Sequence, residues 1–420
     1  MKKLLSILLV LVLVFSFAAC GSTSTETDSD SVELNALFMK QAGYSEEDVT
    51  AMTEAFTEET GIKVNLNFVA YEELEAKILT SAETGGYDVI LGDCIWPAQF
   101  AKAGLVLDVT DRVKELDTDD IFEGAMQSCS YEGKYYGLPW LNDVKYMFVN
   151  KAMLEKAGIT ELPATWDELR ADAKILKDKG IVEYPMVGCW SQAECLICDY
   201  TCIAGGFGGD FVDADNNPTM NSPENIAALQ MMSDMLNEGL VNPKSLEMIE
   251  DDVLSTFAAG NAAFAINWTY QYNSMNDEAA SSVVGDGVIM PIPGTDKAKS
   301  ATVNGGMPLM ITKGSAHPDE AWQYMTYISS KEVQAKYSAN ALPMWKSLYT
   351  EDSVIEAAGK EVVEASLVQY DYIKNRPMVP YYNELSTFMQ TAIQKVLLGQ
   401  DTAEAALNAI QDKALELAAK

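Results

Sequence analysis

The chain has 420 residues, of which 48% are hydrophobic and 22% charged, an ordinary balance for a globular protein with room for two substantial cores. Its 62 acidic residues outnumber its 29 basic ones and give a formal net charge of −33. Such a surface repels nucleic-acid phosphates and anionic lipid headgroups, so the composition argues against nucleic acid, anionic membrane surfaces and other anionic macromolecules as partners.

The first nineteen residues have the pattern of a secretory signal: Lys2 and Lys3, an apolar run over 4–17, then two alanines. The run is shorter than the roughly 20 apolar residues that span a bilayer. Cys20 follows the small pair as in a bacterial lipobox, which predicts lipidation of this cysteine and a flexible polar tether over 20–30. A plain cleaved signal is the open alternative. In both cases we expect the protein outside the cytoplasm, and the lipid as its only membrane contact.

Beyond the tether, strand-like apolar runs alternate with amphipathic helical segments, which predicts an α/β fold. The predicted strands are 32–39, 64–69, 89–91 and 146–149. Capping boxes and first-turn prolines mark helix starts, at Thr165 with Glu168, Ser329 with Glu332, Ser222-Pro223 and His317-Pro318, and the last helix is predicted over 402–419.

Six cysteines follow Cys20, at 94, 129, 189, 195, 198 and 202. Cys195, Cys198 and Cys202 lie on one helical face, and the outer two are about 10.5 Å apart by helical rise, too far for a disulfide. One face also offers no converging set of metal ligands. The sequence therefore favours buried thiols and leaves their redox state open.

The inventory of catalytic residues is thin, because the sequence contains a single histidine, His317, at a predicted helix start. This position suits a helix cap better than a catalytic base, which argues against Ser-His-Asp and Cys-His arrangements. Neither a GxSxG elbow nor a Walker A loop occurs. Because the chain has 62 acidic residues, the presence of two carboxylates does not identify a catalytic pair for glycoside hydrolysis. We expect a protein that is not an enzyme and that uses no cofactor.

One acidic segment, 213–224, has oxygen ligands at the spacing of a calcium loop, namely Asp213, Asp215, Asn217, Asn221 and Glu224. Pro218 stands where such a loop needs a glycine, which favours a polar turn before a helix capped by Ser222. A weak metal site there stays open.

Aromatic residues recur at predicted strand ends and loops, beside Pro, Gly, Asn or Asp. They are Trp96, Trp140, Trp268, Tyr270, Tyr381 and Tyr382. Aromatic rings stack on the apolar faces of sugars while neighbouring polar groups bind the hydroxyls, so this pattern predicts a ligand cleft.

Four segments, in this order, resemble the sugar-binding branch of the extracellular solute-binding proteins of bacterial ABC importers. They are YDVILGDCIW with FAKAG (87–104), YGLP to PATWDEL (136–169), FAAGNAAF with NWTY (257–270) and RPMVPYY (376–382). The resemblance covers essentially the whole mature chain and is nearest to trehalose- and maltose-binding members.

This resemblance implies two α/β lobes joined by three crossings, with 31–143 and 291–346 in one lobe and 144–290 and 347–420 in the other. The lobes would close on a sugar, a di- or oligosaccharide, and a monomer would deliver it unaltered to a membrane permease. A secreted carbohydrate-active enzyme and a binding protein for a peptide, polyamine or organic ion are the alternatives.

The family motifs imply that Asp93 and Asp143 accept hydrogen bonds from sugar hydroxyls. They also imply that Trp268 stacks on a sugar ring and that Arg376 donates hydrogen bonds to ring or hydroxyl oxygens of the sugar. The remaining ligand contacts implied by the resemblance are Trp96, Tyr270, Tyr381, the pair Gly305-Gly306, and Gln41, Tyr44 and Glu46 near the start. Met307 stands where family members usually have a tryptophan, so one stacking platform is missing.

Overall fold

The computed structural model describes residues 32–82, 85–213 and 217–420. The predicted signal, Cys20 and the tether lie outside these residues. Within them, no helix combines the length and the apolar character needed to cross a membrane.

The structure alternates strands and helices as predicted. The strands are β1 (Glu33–Met39), β2 (Lys63–Val69), β3 (Val89–Leu91), β4 (Ser130–Tyr131), β5 (Lys134–Tyr135), β6 (Leu138–Leu141), β7 (Lys145–Asn150), β8 (Met186–Val187), β9 (Phe264–Trp268), β10 (Gly287–Met290), β11 (Thr302–Val303), β12 (Met307–Ile311) and β13 (Ile373–Lys374).

The helices that follow and connect them cover both halves of the chain. They are α1 (Glu46–Thr60), α2 (Tyr71–Ala82), α3 (Pro97–Lys102), α4 (Thr110–Val113), α5 (Glu123–Gln127), α6 (Lys151–Ala157), α7 (Trp166–Asp178), α8 (Glu194–Gly206), α9 (Pro223–Asn237), α10 (Glu250–Ala258), α11 (Gln271–Met275), α12 (Pro318–Ile328), α13 (Lys331–Lys336), α14 (Asp352–Ala358), α15 (Lys360–Gln369), α16 (Tyr382–Leu397) and α17 (Ala403–Ala418).

Two sheets organise the fold. The first has the order β2-β1-β3-β12-β6, in which β1 pairs parallel with β2 and β3, while β12 runs antiparallel to β3 and β6. The second has the order β10-β7-β9-β8, with β7 antiparallel to both β10 and β9. Each sheet has its own hydrophobic core, and α16 and α17 pack on that of the second sheet. The result is the two-lobed α/β architecture that the sequence predicts.

Short backbone pairings join the two halves where the chain crosses between the sheets. Val144, just before β7, forms a bridge with Asn304, and β11 pairs parallel with β13. These contacts bring the ends of β6, β12 and β13 together, because their neighbouring residues lie on the same crossing segments. The candidate site is built at this junction.

Most of the local predictions are confirmed, since strand 89–91 has its predicted bounds and the other three differ by one residue at one or both ends. The Thr165–Glu168 capping box is present. The box predicted at Ser329 is wrong by one residue, because Ser329 ends α12 and it is Ser330 whose side chain caps α13. His317 precedes α12 without a side-chain capping bond.

The thiols of Cys94, Cys129, Cys189, Cys195, Cys198 and Cys202 are free and buried, as the sequence favours. Cys198 and Cys202 pack in the core of the second sheet. Their helix, α8, is buried along almost its whole length, so small thiol side chains replace larger apolar ones there.

The Thr165 cap gives a direct test of how local sequence stabilises the second lobe. The Thr165 hydroxyl accepts from the Glu168 amide, and the Glu168 carboxylate accepts from the Thr165 amide at 3.1 Å. We expect Thr165→Ala to lower the free energy of unfolding by about 1 kcal/mol, measured by urea titration. Thr165→Ser keeps the hydroxyl and is the matched control; equal losses in both variants would contradict the capping role.

Candidate functional site

The backbone of residues 304–306 connects the parts of the site. The Gly305 amide donates to the Asp143 carbonyl at 2.9 Å, and the Cys94 amide donates to the Gly306 carbonyl at 3.1 Å. The Asn304 amide donates to the Lys374 carbonyl at 2.9 Å. This segment therefore holds the loops that follow β3, β6 and β13 against one another, and each of those loops carries a predicted ligand contact.

Positions 305 and 306 require glycine because a side chain would not fit there, and not because the backbone conformation demands it. A Cβ at Gly305 would lie 2.3 Å from Cζ3 of Trp268, and one at Gly306 would lie 2.9 Å from Cβ of Ser128. The pair thus allows close approach, as the resemblance implies. In this structure the group that approaches Gly305 is the Trp268 ring itself.

Arg376 lies at the centre of a buried charged network. The side chain is 2% exposed, and its two terminal nitrogens donate to Asp93 at 2.8 Å and to Glu194 at 2.9 Å. Tyr71 donates to the second oxygen of Asp93 at 2.7 Å, and Tyr382 donates to Glu194. We call these five side chains the Arg376 network. It links Asp93, which follows β3 of the first sheet, to Glu194, which begins α8 on the second.

The network keeps its guanidinium charged. Burial alone lowers the pKa of Arg376, but the attraction of Asp93 and of other neighbouring groups outweighs burial and leaves that pKa well above its ordinary value. Two carboxylates surround one cation, so the network carries an excess negative charge. The Nε hydrogen of Arg376 has no hydrogen-bond partner among the described atoms, which leaves one buried donor available.

Trp268 forms the aromatic surface of the site at the end of β9. Its indole nitrogen donates to Glu250 at 3.2 Å, and the Lys145 ammonium lies 5.0 Å from the centre of the ring. Lys145 and its partner Asp199 are both fully buried, and their charged atoms are 2.7 Å apart. A hydrogen bond at one edge and a cation near the ring thus hold the indole in place.

Sequence reasoning missed Lys145, Asp199 and Glu194, although two of them carry a recognisable signal. Lys145 begins a strand whose residues are all buried, and Asp199 interrupts the apolar helix ECLICDYTC. A charge inside an apolar run must find a partner when the run is buried. Glu194 lacks that signal because it stands at a helix start, where acidic residues are common.

Asp143 connects the Gly-Gly segment to the aromatic surface. Its carboxylate accepts from the Val144 amide at 2.9 Å and from the Thr269 hydroxyl, next to Trp268. Burial raises the pKa of Asp143 to about 7, against the opposing effect of these hydrogen bonds. The group therefore changes charge within the ordinary working range of pH.

Two of the three predicted contacts near the start of the chain, Gln41 and Tyr44, have buried polar atoms beside the first core. Tyr44 is 1% exposed, and its ring centre is 4.6 Å from that of Trp140. The Tyr44 hydroxyl and the Gln41 side-chain nitrogen are buried without a hydrogen-bond partner in the part of the chain that the structure describes. Glu46 differs, since it lies exposed on the first turn of α1 and pairs with Lys40 at 3.6 Å.

The remaining predicted aromatic contacts have mixed positions. Trp96 is 3% exposed and stacks against Tyr71 with ring centres 5.9 Å apart, so it packs in the first core behind the Arg376 network. Tyr270 is half-buried, and its hydroxyl donates to Asp251 at 3.4 Å. Tyr381 is half-buried against the second core, and its neighbour Tyr382 makes the bond to Glu194.

The calcium-like segment is only partly described, because 214–216, including Asp215, lie outside the described residues. The Asn217 amide donates to Asp213 at 2.9 Å, Val212 pairs with Pro218, and Ser222 caps α9. These contacts match the polar turn and capped helix that the sequence favours.

Comparison with known proteins identifies the family to which the chain belongs. Residues 42–335 match the family described as bacterial extracellular solute-binding protein. The chain belongs to that family. The family prediction is thereby confirmed, and it implies an extracellular or periplasmic location for this solute-binding protein.

Several proteins to which the chain is similar are described by the sugar that they bind. Maltose-bound MalE3 of T. maritima is 27% identical, with a TM-score of 0.84 over 92% of this chain and 100% of that one. A Thermotoga lettingae solute-binding protein bound with alpha-D-tagatose is 26% identical, with a TM-score of 0.81 over 91% and 99%. The diacetylchitobiose-binding protein DasA of Streptomyces coelicolor is 25% identical over 87% of this chain and 85% of its own.

The buried pair beneath Trp268 generates a stability prediction. Lys145→Met leaves the Asp199 carboxylate buried without its cation, so we expect the free energy of unfolding to fall by about 3–5 kcal/mol. Lys145→Met with Asp199→Leu removes both charges, and we expect most of that loss to be recovered. Urea titration of both variants and of Asp199→Leu measures the coupling; additive effects would contradict a direct ion pair.

Asp143 generates a prediction about pH. Between the ordinary aspartate pKa of 3.8 and the folded pKa of about 7, the folded state retains a proton that the unfolded chain has lost. The contribution of Asp143 to the free energy of unfolding is therefore largest below about pH 4, falls as the pH rises to about 7, and is constant above that. The total change is up to about 4 kcal/mol.

Unfolding titrations across this pH range test the assignment. Asp143→Asn keeps an oxygen for the Thr269 hydroxyl but cannot ionise, so its pH profile should be flatter than that of the unmodified protein. Asp111→Asn, on the exposed helix α4, is the matched control. Parallel profiles for Asp143→Asn and the unmodified protein would show that Asp143 titrates normally.

Proposed function

We propose that this solute-binding protein captures an uncharged sugar between its lobes and delivers it, unaltered, to the permease of an ABC transporter. The ligand class is a di- or oligosaccharide. The observation that carries the proposal is the placement of Trp268 beside Asp143 and Gly305, because a fixed indole next to a hydrogen-bonding carboxylate suits a sugar ring and its hydroxyls. The relatives named above are described as binding maltose, tagatose and diacetylchitobiose.

The lobe boundaries belong to this proposal. We assign 31–143 and 291–346 to one lobe, and 144–290 and 347–420 to the other. The strands of the first sheet lie in the former and those of the second sheet in the latter, which supports this division. The chain then crosses between lobes near residues 143, 290 and 346.

The Arg376 network supplies the closing contact in this mechanism. Asp93 belongs to the first lobe, and Glu194 and Arg376 to the second, so the network forms as the lobes meet. A sugar that hydrogen-bonds groups of both lobes favours the closed form by its higher affinity for it. The free Nε hydrogen of Arg376 and the unpaired Tyr44 and Gln41 groups are donors suited to sugar oxygens.

Transport and anchoring complete the proposal. A Deinococcus radiodurans relative, 25% identical over 85% of this chain, carries the description of a probable ABC transporter-binding protein. We propose a monomer held at the outer face of the cytoplasmic membrane by lipid on Cys20, without catalysis. Met307, buried in β12, replaces the expected second platform and favours shorter ligands over long oligosaccharides.

A ligand screen tests the function directly. Thermal shift followed by calorimetry, with maltose, maltotriose, diacetylchitobiose, tagatose and ribitol, should show saturable stabilisation by at least one sugar, recovered chemically unchanged. Cleavage of the sugar would favour the carbohydrate-active enzyme. Binding of a peptide, polyamine or organic ion in place of any sugar would favour the non-sugar binding protein.

Trp268 tests the location of the site. Trp268→Ala should weaken binding of the active sugar by at least about tenfold, because central aromatic anchors contribute much of the binding energy. Trp322→Ala is the matched control, since Trp322 is a half-buried tryptophan on α12 that packs at the first core. Equal affinity of Trp268→Ala and the control would place the site elsewhere.

A further inference from the structure

Two cysteines that the proposed function does not use lie close together behind the site. The Sγ atoms of Cys189 and Cys195 and one oxygen of Glu250 all lie within 4.8 Å of one another. Cys189 follows β8 in a loop, and Cys195 is in the first turn of α8. The Lys145 ammonium lies 3.0 Å from the Cys189 sulfur, and the Ser191 hydroxyl lies 3.4 Å from the Cys195 sulfur.

A metal ion is a poor fit for this group, although two thiols and a carboxylate are suitable ligand types. The Lys145 ammonium already lies 3.0 Å from Cys189 and 3.7 Å from Glu250, so a cation is present between two of the three ligands. Asp199 holds that ammonium in place at 2.7 Å. A divalent ion would face strong repulsion from a buried lysine that cannot move to solvent.

We propose that Cys189 and Cys195 are a redox modification site that closes to an intramolecular disulfide. The reaction adds no charge, and the two sulfurs must approach to about 2.05 Å with a Cβ–S–S–Cβ dihedral angle of about 90°. The backbone of the loop between β8 and α8 is fixed, because the Cys189 amide donates to Asp199 at 3.2 Å and the Trp190 amide donates to the Ser245 carbonyl at 2.9 Å. The approach therefore comes from rotation of the Cys189 and Cys195 side chains, whose sulfurs already lie within 4.8 Å of each other.

The chemistry is exchange with a small-molecule disulfide. Cys195 loses its proton and attacks one sulfur of that disulfide, which forms a mixed disulfide and releases one thiolate. Cys195 attacks first because it is 6% exposed, whereas Cys189 is fully buried. The Cys189 sulfur then attacks the Cys195 sulfur, its proton passes to the departing sulfur, and the second small-molecule thiol leaves. Two protein thiols are oxidised, and one disulfide is reduced to two thiols.

The position of the pair couples it to the sugar site, and this consequence rests on the proposed function. Glu194, next to Cys195, accepts from Arg376, while Lys145, which donates to Cys189, lies beside the Trp268 ring. Closing the disulfide turns the Cys189 sulfur from the Lys145 ammonium toward Cys195, and it constrains the turn of α8 that carries Glu194. We therefore expect the oxidised protein to bind its sugar about tenfold more weakly, roughly 1.4 kcal/mol.

Peptide mapping tests the disulfide without reference to any ligand. The full chain is equilibrated with glutathione disulfide, quenched in acid, alkylated and cleaved after glutamate. Cleavage after Glu183 and Glu194 places Cys189 on the peptide 184–194 and Cys195 on the next one, so a disulfide joins the two in mass spectrometry. The joined peptides should appear in folded protein and disappear on reduction.

Variants identify the partner. Cys195→Ala should abolish the joined species, whereas Cys198→Ala, the matched control one helical turn further along α8, should retain it. If Cys189 and Cys195 stay fully alkylatable in folded protein, or if the cross-link survives in Cys195→Ala, the site is refuted.

Calorimetry with the sugar found in the screen tests the coupling. A weaker affinity in the oxidised protein that returns on reduction, and that is absent in Cys195→Ala, supports it. Equal sugar affinity of the oxidised and the reduced protein refutes the coupling but does not affect the evidence for the disulfide. Failure of every sugar to bind refutes the proposed function, and the peptide map still decides the disulfide.

Discussion

The guanidinium of Arg376, buried between Asp93 and Glu194, is the interaction on which the meeting of the two sheets depends. A buried cation costs several kcal/mol unless carboxylates come to it. One carboxylate follows β3 in the first sheet, and the other begins α8 on the second. The need to pair this charge therefore constrains where the two halves touch. The second oxygen of Asp93 accepts from the Tyr71 hydroxyl, and the second oxygen of Glu194 accepts from the Ser386 hydroxyl.

A second buried cation repeats this principle beneath the aromatic surface. Lys145 is paired with Asp199 and lies near the Trp268 ring, while Glu250 binds the indole edge. A ring held by charged groups loses little freedom when a ligand stacks on it, which lowers the cost of binding. The acidic excess of the chain thus has local roles here, beyond solubility, because it holds two buried cations in position.

Four residues chosen from motifs, Asp93, Asp143, Trp268 and Arg376, lie around the Gly305 segment, and their role as ligand contacts stays a prediction. The predicted and observed positions differ for residues that face the core or the solvent and not the Gly305 segment. Trp96 was expected in the cleft and packs in the core instead, and Glu46 is exposed and paired with Lys40. Adjacent residues in a loop or helix start differ little in their sequence signal, so spacing alone cannot assign them to ligand or core.

The sequence by itself determined the α/β class, the family, the main strand bounds and caps such as Thr165, since periodicity and capping act within a few residues. Only the tertiary structure decided the partners of the buried charges and thiols. Arg376 meets Asp93 across 283 residues and Lys145 meets Asp199 across 54. Such pairs are selected by the cost of leaving a charge unpaired in the folded interior, and that cost arises only once both sheets have closed around it.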